Sequence, residues 1–318
     1  MKDLVADIGG TNSRLALISG GELDRSSIRK FDNESHGDFG SVLERYLQDS
    51  GSPEIDQVAL GVAGPVSDNK CRLTNLDWDL DGSIIREQIG ANTVTVLNDL
   101  EIVAYGLIAR HDASGIQSRT FLTAIKPRVN NGRIVVLGIG TGMNIAFGSA
   151  SPGGPCVLSS EYGHSNLPNT AAEILRFEAP DLERSTTMSV EDVLSGNGLL
   201  KLYRAIDDED GDAETSADVI DATLNGNDAG ALRTLRLFNR IAGVIAANIV
   251  CQFIPTDGFF VTGSVGAAAL REQYRDAFCG GFKSADMQHL VDATTIDIVT
   301  DEYAPLIGGA EFLRSLEG

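Results

Sequence analysis

An apolar run opens the chain at Leu4, breaks at Asp7, Gly9 and Gly10, and resumes as an alternating pattern beyond Asn12. That pattern predicts a β-hairpin over 4–18, with glycines free to take a tight turn. The same signature returns as VVLGIGTGMNIAF at 135–147, predicting a second hairpin over 134–149. Between them lie a polar turn at Gly20-Gly21 and a strand near 27–31. Helical spacing of Val42, Leu43, Tyr46 and Leu47 predicts a helix over 41–50. QVALGVAGPV, 57–66, reads as a buried strand ending in a Gly-Pro loop, and SIIREQIG as a short helix closing at Gly90. TVTVLNDL, 93–100, reads as a strand ending on Asn98 and Asp99, with a helix from Glu101. Strands that are first antiparallel and then alternate with helices make an α/β unit.

A second α/β unit opens with a strand near 121–124 and the second hairpin, after a linker within 107–132. SSEYGHSNLP, 159–168, reads as a loop. AAEILRFEA, VEDVLSGNGLLKLYRAI and the long 230–254 segment read as helices. DDEDGDAETSAD, 207–218, reads as a solvated acidic surface loop. DGFFVTGSVG, 257–266, is a strand entering a Gly-Ser turn and then a helix. A last strand and helix follow.

A chain of 318 residues, 42% hydrophobic, is long enough for one large unit or two domains. Its net charge of -20 argues against a nucleic-acid partner, whose phosphates need a basic surface. It leaves room for a nucleotide held locally by backbone N–H groups. Cys71, Cys156, Cys251 and Cys279 have no metal-ligand spacing and read as reduced core thiols. Lys2 and Asp3 lead straight into a strand, so no signal peptide is expected. IAGVIAANIVCQFI, 241–254, reads as a buried helix too short and too polar to span a bilayer. The expectation is a cytoplasmic protein with no membrane partner.

Three glycine turns, each after an apolar strand, suit phosphate: N–H groups converge, and threonine adds a hydroxyl. A structural turn is the competing reading for each one alone. Asp7 can hold Mg²⁺ through water. Asp99, at the carboxyl end of a strand, reads either as a helix cap or as a general base for a substrate hydroxyl. Glu161 and His164 share one loop. With Asn98, Asp99 and Glu191 they can form a polar pocket for a sugar, although a lone histidine is as readily structural.

The ordered motifs DIGGTNSRLAL, LTN.DW at 73–78, LND, GIGTG, E.GH, VEDVLSGNGLLKLYR and VTGSVG resemble those of bacterial ATP-dependent glucokinases over residues 4 to 313. The resemblance implies two RNase H-like α/β domains of the actin-like ATPase superfamily, flanking a cleft that closes on sugar. The small domain would span 1–108, with a C-terminal helix over 303–318 packing back on it. The large domain would span 109–302. The implied reaction transfers the γ-phosphoryl group of ATP to the 6-hydroxyl of glucose, with Asp99 as base. Asn98, Glu161, His164 and Glu191 would bind the sugar. Asp7, Gly9, Gly10, Thr11 and Asn12 match the first phosphate motif, and Gly140, Thr141 and Gly142 the second. Gly263 matches the adenosine motif, and Mg²⁺ would sit by Asp7 through water. A homodimer is also implied. Asn144 and Ser264 stand where the resemblance has glycines, which puts side chains near the expected nucleotide path. SNLPNT follows His164, where related repressor-type kinases carry a zinc-binding cysteine cluster. The alternatives are a kinase of mannose or fructose, or a catalytically weak sugar sensor.

Overall fold

A computed structural model describes residues 2–73, 76–108, 115–127, 129–182, 188–206, 213–224 and 228–317. Thr74 and Asn75 of the 73–78 motif, and 207–212 of the acidic stretch, lie outside the described residues. Two compact units emerge. The first comprises Met1–Gln117, Gly148–Ser159 and Asp301–Gly318; the second comprises Ser118–Phe147 and Ser160–Thr300.

The first unit begins with the predicted hairpin, β1 (Lys2–Ile8) and β2 (Asn12–Ser19). Then come β3 (Glu22–Leu23), β4 (Arg29–Asp32), α1 (Phe39–Asp49) and β5 (Ile55–Val62). A small antiparallel pair, β6 (Lys70–Leu73) and β7 (Trp78–Asp81), precedes α2 (Gly82–Ile89), β8 (Thr93–Asn98) and α3 (Asp99–Ile108). The main sheet runs β3-β2-β1-β5-β8, antiparallel within the hairpin and parallel from β1 to β8. Asp38 caps α1 by accepting from the Ser41 amide at 2.8 Å, and Gly90 ends α2 with φ 70°. Leu4, Leu15, Val42, Tyr46, Leu60 and Val96 belong to one buried core.

The chain continues through β9 (Ser118–Leu122), β10 (Arg133–Ile139), β11 (Met143–Ser149), β12 (Cys156–Ser160), α4 (Asn169–Glu178), α5 (Gly196–Ile206), α6 (Ser216–Leu224) and α7 (Ala229–Phe253). It goes on with β13 (Gly258–Thr262), α8 (Ser264–Ala269), α9 (Arg275–Gly281), α10 (Gln288–Asp292) and β14 (Ile296–Val299). Within the second unit the sheet runs β11-β10-β13-β14-β9, with β10, β13 and β14 parallel and β9 antiparallel. A hairpin followed by two parallel strands therefore occurs once in each unit, and each hairpin carries a glycine turn at its tip. α7 has 25 residues, enough by length and composition to cross a membrane, but it is largely buried inside its own unit.

α11 (Ala304–Leu316) belongs to the first unit and packs along α3 and over β1 and β5. Glycines allow this approach. A Cβ on Gly106 would lie 3.0 Å from the Gly308 Cα, and one on Gly308 would overlap the Ile102 carbonyl oxygen.

The structure departs from the sequence reading in several places, α7 among them, since its 25 residues exceed the length expected from 241–254. Strand β8 stops at Asn98, and Asp99 already begins α3. The helix expected over 190–206 begins only at Gly196. Ser195 caps it by accepting from the Gly198 amide at 3.0 Å, and the Gly196 amide is drawn to the Gly140 carbonyl at 2.8 Å. The 159–168 loop contains the end of β12 and a 3₁₀ turn over Tyr162–His164. Of the four cysteines only Cys71 is buried. Cys156 is exposed, at the start of a strand whose residues mostly face outward.

Candidate active site

In the first unit, hairpin register places Asp7 directly opposite Arg14. Arg14 Nη1 donates to Asp7 Oδ2 at 3.2 Å, and Arg14 Nη2 lies 3.6 Å from Glu302. Burial raises the Asp7 pKa above its usual value, against the pull of Arg14. The turn at Gly9, Gly10 and Thr11 is closed by the Gly9 amide donating to the Asn12 carbonyl at 3.0 Å. Asn33 locks it from behind. Its Nδ2 donates to the Gly9 carbonyl at 2.8 Å, its Oδ1 accepts from the Ser13 hydroxyl at 2.7 Å, and its amide donates to the Thr11 carbonyl at 2.9 Å. Asn33 is 1% exposed, and these three bonds hold it in the buried interior.

At the end of β8, Asn98 and Asp99 share the capping of α3. Asn98 Oδ1 accepts from the Leu100 amide at 3.0 Å, and Glu101 reaches back to the Asn98 amide at 3.4 Å. This is the reciprocal arrangement of a capping box. Asn98 Nδ2 also donates to the Gly64 carbonyl at 3.1 Å. Asp99 Oδ1 accepts from the Leu100 amide at 2.9 Å, a contact its position at the helix start makes available. Burial first, and then the Asp7 charge, push the Asp99 pKa up to about 7. The two carboxylates therefore interact electrostatically, and each is costly to ionise. They offer oxygen donors alone, the chemistry that suits Mg²⁺, and a cation beside them would relieve their burial and repulsion. Among the described residues no three His, Cys, Asp or Glu side chains cluster as a metal site.

In the second unit the tip of β10 and β11 is closed by the Gly140 amide donating to the Gly142 carbonyl at 2.9 Å. Thr141 is exposed there. A Cβ on Gly140 would meet nothing within 4 Å, and one on Gly142 would lie 2.6 Å from Glu191 Oε2. That same oxygen accepts from the Met143 amide at 2.8 Å. The next residue, Asn144, donates from Nδ2 to Glu161 Oε2 at 2.8 Å. The Glu191 amide bonds to the Gly163 carbonyl at 2.9 Å, and a Cβ on Gly163 would overlap the Met143 carbonyl oxygen. Glu161, Gly163, Glu191 and the glycine turn thus form one connected group. His164 is exposed and ends the 3₁₀ turn; its amide bonds to the Glu161 carbonyl at 3.1 Å. Gly263 follows β13 with φ 91°, and a Cβ there would overlap the Ile139 carbonyl oxygen.

Of the glycines matched to the phosphate and adenosine motifs, only Gly263 has positive φ. Gly9, Gly10, Gly140 and Gly142 keep conformations open to any residue, so their value is space rather than backbone freedom. Three side chains that shape the site were not among those chosen from sequence: Arg14, Asn33 and, as a partner of Glu161, Asn144. Arg14 was readable, since counting outward from the hairpin tip pairs it with Asp7. The other two act across loops that local pattern does not fix.

A family model described as Glucokinase matches residues 4–316. A glucokinase of Saccharophagus degradans is 27% identical over 330 residues, covering 98% of each chain. A glucokinase of Sinorhizobium medicae is 30% identical, covering 98% of this chain and 92% of its own. Among solved structures, a glucokinase from an Antarctic psychrotroph aligns with a TM-score of 0.81 at 26% identity, covering 98% of both chains.

Proposed function

The chain belongs to the glucokinase family, with the actin-like ATPase fold and an ATP-dependent hexose kinase activity, and from that premise we propose that Asp99 is the general base for the glucose 6-hydroxyl. One observation carries the assignment. Asp99 shares the capping of α3 with Asn98, and its carboxylate, buried beside the Asp7 charge, has a pKa of about 7. A base poised near neutral pH combines adequate ionisation with a real affinity for the incoming proton.

The other roles follow from chemistry. Asn98, Glu161, His164 and Glu191 accept from and donate to the remaining sugar hydroxyls; Asn98 keeps one N–H and one lone pair beyond its cap and Gly64 bonds. The turns at Gly9, Gly10, Thr11 and Asn12, and at Gly140, Thr141 and Gly142, present N–H and hydroxyl donors to ATP phosphates. Gly263 lets the adenosine approach the backbone. Asp7 would hold Mg²⁺ through water, and the ion supplies positive charge for the β- and γ-phosphate oxygens. Positioning and charge stabilisation dominate phosphoryl transfer, so the rigid locking of the first turn by Asn33 bears directly on rate. The same reading makes the enzyme a cytoplasmic homodimer, a mass that analytical ultracentrifugation reads directly.

The test is ADP release by purified protein with Mg²⁺-ATP, alone and with glucose, mannose, fructose or N-acetylglucosamine. Release should depend on sugar and be largest with glucose. Sugar-independent release, or none with any sugar, would overturn the reading.

A further inference from the structure

We propose that Asn144 is a positioning residue for Glu161, setting the orientation of that carboxylate and through it the affinity for sugar; the proposal rests on Glu161 being a sugar ligand. Asn144 is the second residue of β11, just past the glycine turn. Its Oδ1 accepts two backbone N–H groups, from Ile145 at 3.0 Å and from Tyr162 at 2.8 Å. Those two donors decide which way the amide faces. With its oxygen and nitrogen exchanged, an NH₂ group would point at two N–H groups. The fixed amide then aims Nδ2 at Glu161 Oε2, 2.8 Å away.

Glu161 needs such a guide. It is exposed, and it precedes a 3₁₀ turn in which it makes no side-chain cap. A free glutamate at such a place samples many rotamers, and ordering it on sugar binding would cost affinity. The bond from Asn144 orders it beforehand. It engages one carboxylate oxygen and leaves Oε1 directed by the same geometry. Residues 143 and 144 divide the work: the Met143 amide holds Glu191, and the Asn144 side chain holds Glu161. No glycine or apolar residue at 144 supplies the second bond.

The experiment measures glucose and ATP KM, kcat and Tm for Asn144→Ala, Asn144→Asp, Glu161→Ala and the double variant Asn144→Ala/Glu161→Ala. Asn144→Asp retains Oδ1 for the Ile145 and Tyr162 amides but sets a second carboxylate against Glu161. It should therefore keep Tm near wild type while raising glucose KM by about tenfold or more, with ATP KM within about twofold. Asn144→Ala should raise glucose KM in the same direction. In the Glu161→Ala background it should add no further change in KM. Wild-type glucose KM in Asn144→Asp, or additive KM effects in the double variant, would overturn the proposal and leave Glu161 as a sugar ligand that orients itself. A Glu161→Ala enzyme with wild-type glucose KM would overturn the sugar assignment of Glu161, and this proposal with it.

Discussion

At the scale of single residues, neighbouring Asn98 and Asp99 both meet the Leu100 amide at the start of α3. Asn98 also ties in the Gly64 carbonyl, and Asp99 adds a carboxylate that is costly to ionise. Asp99→Asn should lower kcat by roughly 10²–10⁴ with little change in glucose KM, read from steady-state kinetics; a variant keeping more than about a tenth of kcat would remove Asp99 as the base. In the wild type, kcat/KM should rise with pH through a limb near 7 and level above it. Stability runs the other way. The folded carboxyl holds its proton to a higher pH than the unfolded one, so its contribution is full below the ordinary value of 3.8 and is lost as pH rises through about 7. Asp99→Asn should accordingly raise Tm, and by more at pH 8 than at pH 5.5. Asp99 was legible in sequence because a strand-end aspartate is a local feature. Asn33 was not, since its bond to the Gly9 carbonyl bridges 24 positions and depends on where β4 docks.

At the scale of elements, α3 carries Asp99, the proposed base, at its first residue, and its placement depends on a seam of glycines shared with α11. A methyl on Gly308 has no room beside the Ile102 carbonyl, so the helices must separate. Gly308→Ala should destabilise the protein by about 1–3 kcal/mol, seen as a lower urea midpoint. It should also depress kcat, because α3 moves with Asp99. Hairpins and long helices were readable in advance: the alternation over 4–18 and the apolar spacing of 230–254 match β1, β2 and α7 closely. The start of α5 was not. Its apolar positions continue the helical period backward to Val190, but the bond from the Gly196 amide to the Gly140 carbonyl fixes the first turn, and that partner lies 56 residues earlier.

At the scale of the whole molecule, a net charge of -20 is a standing self-repulsion that favours solubility and opposes compactness. Sodium chloride screens it, with a Debye length of about 10 Å at 0.1 M. Tm measured by scanning fluorimetry should therefore rise between about 0.02 M and 0.5 M salt; a fall would show that local ion pairs such as Arg14–Asp7 outweigh the global field. The repeated strand order was partly visible in sequence as two similar glycine hairpins. The parallel pairing behind each one was not, because it joins segments far apart in the chain.

The return of α11 to α3 also has a consequence in time. On a ribosome, the helix that must lie against that of Asp99 emerges only after the second unit has been made. The first unit would thus begin folding first and finish last, waiting with an open apolar seam while the second unit is synthesised. A nascent chain halted before residue 301 should show protease cleavage within 99–108 that the released protein resists. Activity would then appear only when α11 arrives, so that a chain lacking that helix cannot consume ATP.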